Sequence, residues 1–190
     1  MKRYLLPALI LATMTSSQAW AHTGHDTASG FMSGFTHPLS GLDHVLAMTA
    51  VGFWAGSLGR RAIIGLPASF LSAMVFGFWA ALIGSGIPMI EIGITASVLG
   101  LGLAVLLNLQ PSLILAAGAC GIFGIFHGYA HGVEIAPAVS AVDYGAGFLL
   151  ASALLLGGGL GLQSAVRRVP AMSRVFGGGV ALAGMALFFA

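Results

Sequence analysis

The sequence predicts an all-α, polytopic membrane protein, a six-helix transmembrane bundle preceded by a cleaved signal peptide. Three observations carry that prediction. Of the 190 residues, 58% are hydrophobic and only 6% charged, against roughly 25% charged in an ordinary soluble domain. Apolar runs of helical length recur six times, and the arginines fall in alternate connections between them. The length suits one membrane domain, and most of its surface must face lipid.

The first element is read as a signal and not as a span. Lys2 and Arg3 precede a short apolar run from Leu5 to Met14, about half of what is needed to cross roughly 30 Å of hydrocarbon. Ala19-Trp20-Ala21 follows and has the small-x-small form that a signal peptidase cuts. Residues 1–21 are therefore expected to be removed, leaving His22 outside the membrane with a free α-amine beside its imidazole. Loss of Lys2 and Arg3 leaves five arginines against five acids. The basic balance of the full chain is thus no sign of nucleic-acid binding.

Residues 22–36 read as an extracytoplasmic metal-capture tail carrying His22, His25 and Asp26. Residues 37–190 read as the six-span domain, with apolar runs near 39–58, 62–84, 87–107, 112–130, 142–162 and 175–190. Gly59-Arg60-Arg61, Gly84-Ser85-Gly86 with Pro88, Asn108 to Pro111, Gly132 to Ser140 with Pro137, and Arg167 to Arg174 with Pro170 separate them. The runs are twice the length of a barrel strand and lack its period-two alternation. With the amino terminus outside, Arg60, Arg61, Arg167, Arg168 and Arg174 all fall in the cytoplasm, in accord with the positive-inside rule. The expected location is the bacterial inner membrane with a periplasmic amino terminus.

The other ionisable groups fall toward the outer face. They are His37, Asp43 and His44 at the start of the first span, Glu91 at the start of the third, His127, His131 and Glu134 at the end of the fourth, and Asp143 at the start of the fifth. Acids and imidazoles at membrane depth are expensive and face a cavity or a partner, which points to a functional site opening outward. Glu91 and Asp143, each alone at a span boundary, read equally well as solvated interfacial residues.

Two segments concentrate this chemistry. In His37-Pro38-Leu39-Ser40-Gly41-Leu42-Asp43-His44, Pro38 biases His37 away from helical backbone and Ser40 is placed to cap the following helix. His37 is thus expected on a loop folding back over the helix start, with Asp43 and His44 in its first turns. In Phe126-His127-Gly128-Tyr129-Ala130-His131-Gly132-Val133-Glu134, the spacing puts His127, His131 and Glu134 on one helical face. Gly124, Gly128 and Gly132 repeat every fourth residue, a pattern that permits close helix approach, and are expected to bring the fourth span to the first. Imidazole and carboxylate without thiolate suit Ni2+, Co2+, Zn2+ or Mn2+, whereas copper(I) favours sulfur. Cys120 is the only cysteine, so one chain can form neither a disulfide nor a thiolate cluster. The methionines, Met48, Met74 and Met185 among them, show no thioether cluster and read as packing.

HPLSGLDH and FHGYAHGVE resemble the two motifs of the HupE/UreJ family of nickel/cobalt transporters, small six-span proteins associated with metal supply to hydrogenase and urease. The resemblance extends from the signal through the last span. It implies a metal site of His37, Asp43, His44, His127, His131 and Glu134, with His22 at the mature amino terminus as a looser match. It does not decide between nickel and cobalt.

The expected function is a permease that takes nickel or cobalt from the periplasm to the cytoplasm, for hydrogenase, urease or cobalamin enzymes. Ni2+ or Co2+ would be substrate, with no permanent cofactor. Because imidazole must be deprotonated to bind, falling pH should weaken capture. A non-transporting membrane accessory protein for metalloenzyme maturation would share the site. A bis-histidine haem protein is a further alternative, to which Asp43 and Glu134 are poorly suited. No catalysis is expected: His-Glu-x-x-His is absent, and no glycine loop followed by lysine could cradle a nucleotide. The expected partners are a divalent ion and the lipid bilayer, with a homo-oligomer and a periplasmic metal donor left open. Gly157 to Gly161 and Gly177 to Gly179 read as helix contacts or kinks, and Trp54, Trp79, Phe188 and Phe189 as contacts with lipid or neighbouring spans.

Overall fold

The structure, a computed structural model, describes residues 30–189, so the expected signal peptide lies outside the described residues. All regular structure among them is helical, in seven segments: α1 (Gly30–Ser40), α2 (Leu42–Leu58), α3 (Arg60–Leu82), α4 (Ile90–Leu106), α5 (Leu113–Glu134), α6 (Ala141–Val166) and α7 (Pro170–Phe188). The six apolar runs coincide with α2 to α7. α1 is an addition, occupying what reads as tail and loop.

α3, α5, α6 and α7 are each long and apolar enough to cross a membrane. α2 and α4, at 17 residues each, span about 26 Å at 1.5 Å per residue. Large side chains point away from the bundle throughout, among them Ile64, Phe76, Ile114 and Leu182, which is the surface of a chain solvated by lipid. Trp79 belongs to that outer set. Trp54 instead is buried and donates its indole N–H to the Leu109 carbonyl at 3.1 Å.

The helices associate in glycine-lined contacts. An ideal Cβ on Gly124, Gly128 or Gly132 would stand 2.4, 2.0 or 2.6 Å from the carbonyl oxygens of Phe70, Met74 and Phe78, and one on Gly77 would stand 2.2 Å from that of Ile125. The glycine stripe of α5 therefore seats α3 and not the first span, which corrects the sequence expectation. The reason is angular: one residue beyond each histidine, a glycine points about 100° away, so the two stripes address different neighbours. Ser69 Oγ donates across the same pair to the Ala117 carbonyl, and the Tyr129 hydroxyl donates to the carbonyl of Ser85 in the connection after α3. Gly102, Gly177 and Gly184 bring α4 and α7 together antiparallel. Within the glycine-rich runs, only Gly159 and Gly177 are pressed on backbone, whereas Gly157, Gly158, Gly161 and Gly179 face open space.

α1 and α2 lie in succession along α6, the longest helix. Gly34 and Gly147 bring α1 onto its first half, and Gly52 and Gly159 bring α2 onto its second. Between Ala47 and Ala55, α2 is buried except for partly accessible Thr49, as befits a helix packed on all sides. The break at Gly41 is a single extended residue, φ −88° and ψ 117°.

His37 is thus helical, contrary to the loop expected from Pro38. Gly34 and Pro38, four apart on one face, are both buried, and packing of that face outweighs the local bias of a residue preceding proline. Ser40 caps nothing. Its hydroxyl donates to the His37 carbonyl at 2.6 Å, while the Asp43 carboxylate accepts the His44 backbone N–H at 2.8 Å in the first turn of α2.

Gly77→Ala should destabilise the fold by about 1–3 kcal/mol, because the added methyl is overpacked against a carbonyl. Gly118→Ala, with open space around the same ideal atom, should leave the thermal midpoint in detergent essentially unchanged.

Candidate metal centre

Three elements supply the motif side chains. His37 comes from the last turn of α1, Asp43 and His44 from the first turn of α2, and His127, His131 and Glu134 from the last turns of α5. Because α5 keeps helical geometry to Glu134, its i, i+4, i+7 face remains continuous.

The outer part is a mixed nitrogen and oxygen cluster. His37 Nε2–H donates to Glu134 Oε2 at 2.8 Å, and His131 Nδ1 lies 3.7 Å from the same oxygen. One ligand atom from each of His37, His131 and Glu134 can be chosen such that all lie within 4.8 Å of one another. The side chains of His37 and Glu134 are 40% and 50% exposed, but that of His131 only 1%. A cleft of about 210 Å³ reaches them, lined also by Ser40, Gly41, Asp43 and His44.

Behind it lies a purely imidazole cluster. The His44 ring is 4.3 Å from that of His131 and 4.6 Å from that of His127, centroid to centroid. His44, His127 and His131 are all buried. Asp43 Oδ1 accepts from His44 Nδ1 at 2.9 Å, which leaves Nε2 as the lone-pair nitrogen of a neutral ring. His44 Nε2, His127 Nδ1 and both nitrogens of His131 are buried without a hydrogen-bond partner.

Buried polar atoms left in that state are costly unless something satisfies them. Imidazoles packed ring against ring with unpartnered nitrogens suit a bound cation, and the donor atoms that come within 4.8 Å of one another are those of His37, His131 and Glu134. Aromatic rings close the inner side: Phe148 lies 4.1 Å from His131, and Phe70 5.7 Å from His127.

All six motif residues are thus brought to one region. The cleft lining includes neither Glu91 nor Asp143, both exposed, and His22, His25 and Asp26 lie outside the described residues. Two contributors escape the sequence reading. Ser97 of α4 has its Oγ 2.8 Å from His127 Nε2. Tyr144 of α6 places its ring 6.1 Å from that of His37, with its hydroxyl buried and unpartnered. Nothing in their own segments ties them to the histidine motifs: Ser97 follows Thr95 in α4 and Tyr144 follows Asp143 in α6, and only the packing of those helices brings them to the imidazoles.

Residues 9–187 match the family model described as HupE / UreJ protein. The chain is 41% identical over 189 residues to Protein HupE of Rhizobium leguminosarum bv. viciae, with 98% of each chain covered. No solved structure matches. The two histidine motifs, the helical architecture and nearly the whole length agree: this chain belongs to the HupE/UreJ family.

Proposed function

We propose that the chain is a six-span inner-membrane permease that carries Ni2+, Co2+ or both from the periplasm to the cytoplasm. The metal would supply hydrogenase, urease or cobalamin enzymes. The observation that carries this reading is the set of unpartnered imidazole nitrogens of His44, His127 and His131, with His44 and His131 lining an open cleft and His127 packed against His44. Family membership supports it. In this reading residues 1–21 are cleaved and the tail with His22, His25 and Asp26 captures the ion. His37, Glu134 and His131 receive it with mixed donors, and His44 and His127 complete the replacement of its hydration water. Asp43 acts through His44 as its hydrogen-bond acceptor. The ion is cargo, and no permanent cofactor is required.

Nickel and cobalt accept nitrogen donors readily, whereas the more abundant Mg2+ and Ca2+ are oxygen seekers. An all-imidazole inner cluster selects between them by ligand chemistry. Inward movement gains about 2.3 kcal/mol per charge per 100 mV of negative interior potential, so a divalent ion has a driving force without nucleotide hydrolysis. Haem binding is disfavoured by the geometry. Imidazole rings in edge contact at 4.6 Å leave no room for a macrocycle between them.

In proteoliposomes with an interior-negative potential, the wild-type chain should accumulate labelled Ni2+ or Co2+. His44→Ala, His127→Ala and His131→Ala should each reduce uptake by at least about tenfold, the loss expected for a metal ligand or its supporting group. Uptake that survives the triple substitution would refute the site. Ni2+ binding by the purified chain without any flux would identify an accessory protein instead. Separately, mass spectrometry of the membrane-inserted protein should find a mature chain beginning at His22, and an intact Met1 terminus would refute signal cleavage.

A further inference from the structure

α4 carries no residue of either motif, yet it meets the imidazole cluster through Ser97. That side chain is completely buried, with Oγ 2.6 Å from the Ile94 carbonyl oxygen and 2.8 Å from His127 Nε2. A serine hydroxyl has one hydrogen to donate, and a carbonyl can only accept. Two oxygens at 2.6 Å without a hydrogen between them would repel, so the proton goes to Ile94. Oγ is then an acceptor toward His127, and Nε2 must supply the hydrogen.

A neutral imidazole carries a single N–H. With the hydrogen on Nε2, the lone pair of His127 resides on Nδ1, the atom that is buried without a partner. Asp43 does the equivalent for His44 with the ring reversed, holding Nδ1–H and freeing Nε2. The two rings stand edge to face with centroids 4.6 Å apart.

We propose that Ser97 is a positioning residue that holds His127 in the Nε2–H tautomer and thereby makes Nδ1 its ion-binding atom. The ligand role rests on the metal-site reading above, whereas the tautomer does not. A carboxylate in this place would add a negative charge beside the deepest imidazole. A hydroxyl fixes the tautomer without adding charge.

The test uses the full chain in detergent with 15N-labelled histidine. Two-bond proton–nitrogen spectra of the metal-free wild type should show His127, identified by loss of its signals in His127→Ala, protonated at Nε2. Ser97→Ala should abolish that preference and weaken Ni2+ binding about 10–100-fold in titrations, the range seen when a supporting hydrogen bond to a metal ligand is removed. Ser97→Thr, which keeps the hydroxyl, should return both readouts toward wild type. Finding His127 protonated at Nδ1 in the wild type overturns the proposal whether or not Ser97→Ala folds. So does a folded Ser97→Ala with unchanged tautomer and unchanged Ni2+ affinity. A wild-type chain that binds no Ni2+ refutes the metal-site reading instead, and the tautomer spectrum then decides the Ser97 assignment by itself.

Discussion

The imidazoles of His44, His127 and His131 are buried ring against ring inside an apolar bundle, and the rest of the architecture follows from sustaining that arrangement. His44, His127 and His131 could each find water at the surface. Their burial removes water and leaves four nitrogens without hydrogen-bond partners. Such a cluster does not stabilise the fold by itself, because each unpaired group carries its desolvation penalty. It persists because other contacts hold the helices that present it.

Those contacts are made by glycines on different faces from the histidines. α5 is held to α3 along Gly124, Gly128 and Gly132, and α2 to α6 at Gly52 and Gly159. α2 and α5 themselves barely pack against one another and meet mainly through their imidazoles. The separation between the histidine-bearing helices is therefore set by helix pairs that would be in place without any ion. A site whose geometry is held by its scaffold, and not by the ligands' mutual attraction, is preorganised for its guest. Gly41 adds a second device, since ending α1 and restarting α2 at one residue places His37 and His44 on separate helical turns around the cleft. Broken helices at membrane depth line cavities for the same reason: the interrupted backbone needs polar surroundings.

Much of this was legible in the residues, because helical periodicity is local. The i, i+4, i+7 spacing put His127, His131 and Glu134 on one face, and α5 keeps them there. The pairing of the two motifs at one depth also followed from span order and alternation. What was not legible depended on tertiary partners. Pro38 argued for a loop at His37, but the buried face of Gly34 and Pro38 against α6 keeps that turn helical. The glycine stripe announced a close contact without naming its partner, and the partner is α3. Ser97 had no local mark at all, since its role exists only because α4 passes beside His127.

In the proposed permease, the same packing constrains how an ion crosses. The outer cleft ends at the imidazole cluster, with Phe70 and Phe148 beside it. At the opposite end a second cleft of about 260 Å³ is lined by Phe53, Ser57, Asn108, Gln163, Arg167 and Arg174. The α2 segment Ala47, Met48, Ala50 and Val51 lies between the two clefts in sequence, and each of these residues is wholly buried. An ion held at His127 therefore has packed side chains inward of it, and passage requires helices to move against one another. Helix faces joined by glycine and backbone, without interlocking side chains, are the ones that can slide with least repacking, in the manner of shear motions between packed helices. The contacts that bring the donors together are in that case the same contacts along which the bundle must shift to release the ion, past two arginines that disfavour its lingering at the inner mouth.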